Sequence, residues 1–155
     1  MLGRITVSRI FSTAASPSAV WTALESAPRW PELLTDLVSA RIEPDGRLVT
    51  GAVIRTVARP GTRAADMTYR VVAADPRLHL AIESGTDDFR ARTDYAIDAF
   101  ASGSRITVTS EAEPVRWLHK ITTALARRAY TRQFEAIMEA RMLPMLALAE
   151  RIQRG

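Results

Sequence analysis

The chain has 155 residues, of which 47% are hydrophobic and 25% charged, a composition typical of one ordinary globular domain spanning residues 1–155. It contains no cysteine, which excludes disulfide scaffolds, thiolate nucleophiles and cysteine-ligated zinc, and which favours a reducing, cytoplasmic environment. The formal charge of +4 comes from arginines spread along the whole chain, and this distribution argues against a nucleic-acid-binding face.

The first 35 residues predict a strand followed by two short helices. Residues 4–12 alternate polar and apolar side chains, as a half-buried strand does. Ser16-Pro17 is a helix-start signal, because serine caps free N–H groups and proline suits the first helical position. That helix is expected to end near Ala27-Pro28, and a second short helix is expected over 31–35.

The region up to about residue 113 predicts a β-meander. Side chains alternate with period two, and turn-forming pairs divide the region into six strand segments. Strands joined by short connections pair as antiparallel neighbours, so we expect an antiparallel sheet of six or seven strands. The clearest turn signals are Asp45-Gly46, Pro60-Gly61, Asp75-Pro76 and Ser102-Gly103.

The C-terminal region predicts one long helix from about Pro114 to Arg154, because it is rich in helix formers and has no glycine before Gly155. An apolar stripe is expected to face the sheet, with a bend near Pro144 or a wide contact face. Its members are Leu118, Ile121, Leu125 and Ala129.

Basic residues decorate this helix, and the apolar stripe favours a solvated outer face for them over peripheral membrane contact. No stretch is apolar enough for a signal peptide or a membrane-spanning segment. The basic residues are Arg116, Lys120, Arg127, Arg128, Arg132 and Arg141.

The order of these elements resembles that of the START/polyketide-cyclase superfamily, also called SRPBCC, and its polyketide cyclase/dehydrase-like branch. The resemblance is carried by SPSAVWTALESAPRWPELL, by VTGAVIRT and VVAADPRLHLAIES, and by the SGSRITVTSEAEP hairpin. It implies an α+β helix-grip fold, in which a curved antiparallel sheet of six or seven strands wraps around a long C-terminal helix. Two short helices follow the first strand in that arrangement.

Strand alternation indicates which side chains face the interior. In the last strand Ile106, Val108 and Ser110 share a face, and in the second strand Val38 and Ala40 are assigned to the concave side. The inner rows are apolar with a few hydroxyls, which is the usual composition of a small-molecule site. The predicted ligand-binding residues are Trp30, Leu34, Ile54, Thr56, Met67, Tyr69, Leu80, Ile82, Thr93, Tyr95, Phe134 and Met138.

The sequence carries no catalytic motif, no phosphate-binding glycine loop and no metal-ligand spacing. His79 and His119 are expected at the surface, and no cofactor is indicated. The leading hypothesis is that the protein binds or carries a small hydrophobic molecule such as a lipid, an isoprenoid or a polyketide-like compound.

Two alternatives remain open. The first is a cyclase- or dehydratase-type enzyme, for which Tyr69, Tyr95 and an inward Arg55 or Arg92 are the candidate residues. The second is a regulatory module that docks another protein.

Overall fold

The computed structural model describes residues 3–62 and 64–155, and over these residues the chain forms one antiparallel sheet of seven strands in the order β1-β7-β6-β5-β4-β3-β2. β1 and β7 are neighbours although they are the first and last strands of the chain. The strands are β1 Ile5–Thr13, β2 Leu37–Glu43, β3 Val53–Ala58, β4 Met67–Asp75, β5 His79–Gly85, β6 Phe89–Phe100 and β7 Gly103–Pro114.

The helices lie before and after the meander. The Oγ of Ser16 accepts a hydrogen bond of 3.2 Å from the N–H of Ala19 and so caps the first of them, as the Ser16-Pro17 signal predicts. The second short helix is a 3-10 helix that begins at Ala27, four residues earlier than expected. The helical elements are α1 Pro17–Glu25, the 3-10 helix Ala27–Glu32, α2 Trp117–Leu125 and α3 Arg127–Arg154.

The hydrophobic core lies between the concave face of the sheet and α3. Ile97 and Ile106 of the sheet and Leu148 of α3 are each at most 1% exposed, and they belong to one continuous apolar cluster. Trp21 of α1 is 6% exposed and packs in the same cluster. The predicted helix-grip architecture is therefore confirmed.

The antiparallel pairing defines two ends of the sheet. β7 ends at Pro114 opposite the start of β6 at Phe89, so the chain enters α2 at the end where β5 passes into β6. The connection from Ala58 to Met67 lies at the same end, which we call the α2 end. The opposite end carries Thr13 and Gly103.

The structure corrects the prediction of one helix from Pro114 to Arg154. Pro114 is the last residue of β7, and the helix is interrupted at Ala126, where φ is −103° and ψ is 25°. The helix continues through Pro144. Proline removes one backbone hydrogen bond there, and burial of the neighbouring Met142 and Met145 offsets that loss.

The expectation that the apolar stripe of the C-terminal helix faces the sheet is also wrong. Leu118, Ile121 and Leu125 are 60%, 42% and 85% exposed, and Ala129 is exposed as well. The interruption at Ala126 separates Leu118, Ile121 and Leu125 from α3, so α2 lies on the outside of the sheet end with its apolar side toward solvent. Ala129 belongs to the first turn of α3.

One strand register differs from simple alternation. Val38 was assigned to the concave side, but it is 49% exposed, and Leu37 is buried in its place. The pairing of β2 with β3 shifts between Leu37 and Ser39, so the period-two rule fails at that point. From Ala40 onward the predicted parity holds, since Ala40 and Ile42 are buried.

Candidate functional site

A cavity of about 300 Å³ lies between the concave face of the sheet and α3. This volume is at the lower end of the range for small-molecule sites. The structure brings all twelve of the predicted ligand-binding residues to its wall, and their part in binding a ligand stays a prediction. The other lining residues are Leu24, Leu37, Leu48, Ala64, Ala65, Val108, Ser110, Ile137, Arg141, Met142 and Met145.

The cavity reaches the surface at the α2 end of the sheet. Ala64 and Ala65, from the connection between β3 and β4, border it together with Ile137 of α3. Ala65 is exposed and Ile137 is 47% exposed, so these side chains border the cavity and solvent at once. A ligand can therefore approach between that connection and the first half of α3.

Two phenols provide the directed polar groups of the wall. Tyr69 in β4 and Tyr95 in β6 both line the cavity, and within the described residues neither hydroxyl makes a hydrogen bond. Burial raises the pKa of Tyr69, and burial also raises the pKa of Tyr95 to about 12. Both groups are consequently neutral O–H donors at neutral pH, each able to bond an oxygen or nitrogen acceptor in the cavity.

A guanidinium group stands beside these phenols. Arg141 of α3 lines the cavity and is held by Asp36 in a bidentate ion pair, with Nη1 to Oδ1 at 3.0 Å and Nη2 to Oδ2 at 2.8 Å. Its positive charge acts to lower the pKa of Tyr69 and of Tyr95, against the larger effect of burial. The site therefore combines a fixed cation with two neutral donors.

Sequence reasoning missed this arginine, because it assigned Arg141 to a solvated outer face. The spacing of residues along the helix nevertheless indicates that Arg141 faces the cavity. Phe134, Met138, Arg141 and Met145 recur at intervals of four, three and four, which places Arg141 on the helical face that borders the cavity. Its partner Asp36 lies 105 positions away, so the pair itself has no local signature.

The hydroxyls of Thr93 and Ser110 are hydrogen-bonded to each other, one donating and the other accepting. Their oxygens lie 2.6 Å apart across β6 and β7, at the cavity wall. Each can also accept a further hydrogen bond, since a hydroxyl oxygen has two lone pairs. They form a weaker polar anchor than the phenols because they are already partnered.

The two arginines considered for an enzymatic role do not face the cavity. The Nε of Arg55 donates to Glu43 at 2.8 Å on the exposed side of β3. Arg92 pairs with Asp94, Nε to Oδ2 at 3.0 Å, also outside. Strand parity explains both cases, because successive side chains of a strand point to opposite faces and the neighbours of Arg55 and Arg92 point inward. The expectation of an inward Arg55 or Arg92 is therefore wrong.

The two histidines lie away from the cavity. The Nε2 of His79 is 3.0 Å from Asp94 Oδ1. The pKa of Asp94 is lowered, mainly by the hydrogen bond from Arg92 and in smaller part by the hydrogen bond with His79. His119 stacks on Phe89, with ring centroids 6.1 Å apart. Among the described residues, no group of three or more His, Asp or Glu side chains converges as metal ligands do.

A family comparison agrees with this geometry. The sequence profile of the family described as polyketide cyclase / dehydrase and lipid transport matches residues 4–140. The match spans most of the chain, and the chain belongs to this family. A comparison with curated protein sequences gives no match.

Solved structures share the fold at low sequence identity. The truncated norcoclaurine synthase from Thalictrum flavum is 15% identical, with a TM-score of 0.71 over 94% of this chain and 92% of that chain. The Zhui aromatase/cyclase from Streptomyces sp. R1128 gives the same identity and TM-score, over 96% and 94%. The di-domain ARO/CYC StfQ of the steffimycin biosynthetic pathway is 16% identical, with a TM-score of 0.77 over 98% of this chain and 53% of that chain. Identities this low show the fold alone.

Within residues 3–62 and 64–155, no helix has both the length and the apolar character needed to cross a lipid bilayer.

Proposed function

We propose that the protein binds or carries a small, mainly apolar molecule that bears at least one oxygen acceptor. The observation that carries this proposal is the pairing of an apolar cavity with two unpartnered phenol donors, Tyr69 and Tyr95. A ligand that accepts a hydrogen bond from them satisfies donors that have no hydrogen-bond partner among the described residues. Membership in a family of cyclases, dehydrases and lipid-transport proteins supports this ligand class.

Size limits the candidate ligands. Burial contributes roughly 0.8 kcal/mol per CH₂, so about ten buried carbons are needed before apolar burial matches micromolar affinity, and ordering costs raise that number. A cavity of about 300 Å³ suits one compact ring system or a short isoprenoid. In cells this binding takes place in the cytoplasm, the compartment favoured by the absence of cysteine.

A ligand panel tests the proposal. Aromatic polyketides, isoprenoids and fatty acids are each added to the purified protein, and the melting temperature and tryptophan fluorescence are recorded. Trp30 lies in the cavity wall, so its emission reports occupancy. Native mass spectrometry of freshly purified protein adds a direct search for a bound molecule. If no compound of the panel changes either signal and no molecule co-purifies, the proposal fails.

Tyrosine variants test whether ligand binding depends on the phenol hydroxyls. Tyr69→Phe and Tyr95→Phe each remove one donor and keep the ring, so affinity for an oxygen-bearing ligand is expected to fall about three- to tenfold. Tyr130→Phe is the matched control, because Tyr130 packs against the core without lining the cavity. Equal affinities of all three variants for every ligand contradict the role of the phenols.

The second candidate is a cyclase- or dehydratase-type enzyme, and the convergence of Tyr69, Tyr95 and Arg141 on one cavity favours it. Two neutral donors beside a cation can stabilise an enolate oxygen as negative charge develops on it. The test is turnover of a β-polyketone thioester by the wild type and by Tyr69→Phe and Tyr95→Phe. Turnover that the variants leave unchanged removes these tyrosines from the mechanism, and ligand binding without turnover favours a carrier.

A further inference from the structure

Helix α2 presents its apolar side to solvent. With 3.6 residues per turn, Trp117, Leu118, Ile121 and Leu125 lie within an arc of about 100° on this helix. They are 67%, 60%, 42% and 85% exposed, so the arc is open to solvent along its whole length. We call these four residues the α2 apolar face. Exposed apolar side chains grouped in this way mark interaction sites more often than single ones do.

The opposite side of α2 is fixed to the body of the protein. Thr123, which lies across the helix from the apolar face, is 1% exposed. His119 stacks on Phe89, and Gly3 approaches the backbone of Lys120 so closely that an added Cβ would lie 2.8 Å from its carbonyl oxygen. The orientation of α2 is therefore set by contacts through its polar side.

The surroundings of the α2 apolar face are positively charged. No acidic residue occurs from 114 to 134. Arg116 lies 3.6 Å from Asp88, whereas four further cations form no ion pair within the described residues. These are Lys120, Arg127, Arg128 and Arg132. Arg127 and Arg128 begin α3, with only Ala126 between them and the exposed Leu125, so unpaired positive charge borders the apolar face.

The combination of positive charge and exposed apolar surface indicates which class of partner suits α2. Cations alone would suit any polyanion, but apolar side chains between them gain nothing from phosphates in water. An anionic lipid bilayer offers both a negative surface and an apolar layer just beneath it. Exposed tryptophan suits the boundary between the two, because its ring is apolar and its N–H is polar.

We propose that α2 docks the protein on anionic membranes, with the α2 apolar face inserted among the headgroups and the basic residues on the lipid charges. The opening of the cavity lies at the same α2 end of the sheet, between the connection that carries Ala65 and the first half of α3. Docking through α2 thus brings that opening close to the bilayer. The proposal does not depend on what the cavity holds.

Vesicle binding by the full chain tests the proposal. Wild-type protein is mixed with phosphatidylcholine vesicles and with vesicles of phosphatidylcholine and phosphatidylglycerol, and binding is measured by co-sedimentation and tryptophan fluorescence. We expect binding to the anionic vesicles, weakening as salt rises, together with a blue shift from Trp117. Equal binding to neutral and anionic vesicles, or binding to neither, overturns the proposal.

Two pairs of double variants locate the surface. Leu118→Ser with Leu125→Ser removes part of the α2 apolar face, and Ile10→Ser with Leu78→Ser is its control, since those residues are 62% and 58% exposed elsewhere. Only the first pair is expected to lose vesicle binding. All four positions are exposed, so circular dichroism and melting temperature should stay close to the wild type. Identical vesicle binding by the two variants overturns the proposal.

Charge is tested in the same manner. Arg127→Gln with Arg128→Gln is expected to weaken anionic-vesicle binding on the order of tenfold to thirtyfold. Arg47→Gln with Arg77→Gln removes equal charge from exposed turns at the opposite end of the sheet and should have little effect. If instead the wild type self-associates without lipid and Leu118→Ser with Leu125→Ser is monomeric, a second copy covers the face and the lipid assignment is wrong.

Discussion

Arg141 and Asp36 form a bidentate ion pair that joins α3 to the segment just before β2, at the wall of the cavity. The planar fork of the guanidinium matches the carboxylate, so two parallel hydrogen bonds fix the orientation of both groups. Burial is the main cause of the raised pKa values of Tyr69 and Tyr95; the charge of Arg141 acts to lower both, whereas the carboxylate of Asp36 acts to raise that of Tyr69. The same ion pair therefore joins α3 to the segment before β2 and fixes a charged group in the cavity wall.

Asp36→Asn is expected to lower the free energy of unfolding by about 0.5 to 1 kcal/mol. The effect is small because both side chains remain about a third exposed and solvent screens their attraction. Urea unfolding of Asp36→Asn, Arg141→Gln and the double variant measures the coupling. If the two single effects simply add in the double variant, the pair does not stabilise the fold.

Alkaline pH should destabilise the protein through Tyr95. The pKa of Tyr95 is about 12 in the folded protein because burial disfavours the phenolate, against 10.0 for an unperturbed tyrosine. Above pH 10 the unfolded chain loses this proton while the folded chain keeps it. The stability present below pH 10 therefore decreases as pH rises toward 12, by an amount on the order of 2 kcal/mol.

Comparison of the wild type with Tyr95→Phe isolates this dependence. Unfolding free energies are measured from pH 8 upward, together with the near-ultraviolet absorbance of phenolate. The stability of the wild type relative to Tyr95→Phe should fall as pH rises above 10, since phenylalanine has no proton to lose. A constant difference across the range contradicts the buried, unionised state of Tyr95.

Gly103→Ala should destabilise the fold by about 3 kcal/mol or more. A Cβ at Gly103 would overlap the carbonyl oxygen of Thr13 and lie 2.8 Å from the Cα of Ala14. These atoms belong to the backbone and cannot move aside as a flexible side chain can. The substitution therefore separates β7 from the end of β1, and thermal unfolding measures the loss.

Gly85→Ala is the matched control for that substitution. Gly103 is the first residue of β7 and Gly85 the last residue of β5, so both are terminal strand residues. At Gly85 the nearest atom to an added Cβ, the carbonyl oxygen of Phe89, is 3.6 Å away, an ordinary contact. Its stability should stay within about 1 kcal/mol of the wild type. Equal losses for both variants would mean that close approach at Gly103 is not the cause.

Leu148→Ala and Phe134→Ala distinguish the closed core from the cavity wall. Leu148 is fully buried and outside the cavity wall, so its truncation leaves a new void and should cost about 2 to 5 kcal/mol. Phe134 is only partly buried and borders space that is already empty, so its truncation should cost about 1 to 2 kcal/mol.

Ligand binding gives the second measurement for this pair. Phe134→Ala enlarges the cavity and should shift preference toward bulkier members of the ligand panel, whereas Leu148→Ala should leave the order of preference unchanged. Chemical unfolding and the fluorescence titration are carried out on the same preparations. A larger stability loss for Phe134→Ala than for Leu148→Ala would show that the space beside Phe134 is filled in solution.

Local signals determined much of this fold from the sequence alone. The capping serine at Ser16, the turn pairs Asp75-Pro76 and Ser102-Gly103, and the period-two strands all act over a few residues, so they can be interpreted without knowing the rest of the molecule. The twelve predicted residues of the cavity wall followed from strand parity and from the spacing of apolar residues in the helices, which are equally local. The assignment of inward-facing residues failed at Val38, where a bulge shifts the register, and at Arg141, which was assigned to the outer face of the helix.

Tertiary structure decided the rest. Helical spacing grouped Leu118, Ile121 and Leu125 on one face of a helix, but it could not say whether that face would meet the sheet or solvent. That outcome depends on the interruption at Ala126 and on contacts through the other side of α2. The ion pair of Asp36 with Arg141 spans 105 positions and forms only when the sheet closes on α3. Periodicity groups side chains on an element, whereas the packing of distant elements determines what each group contacts.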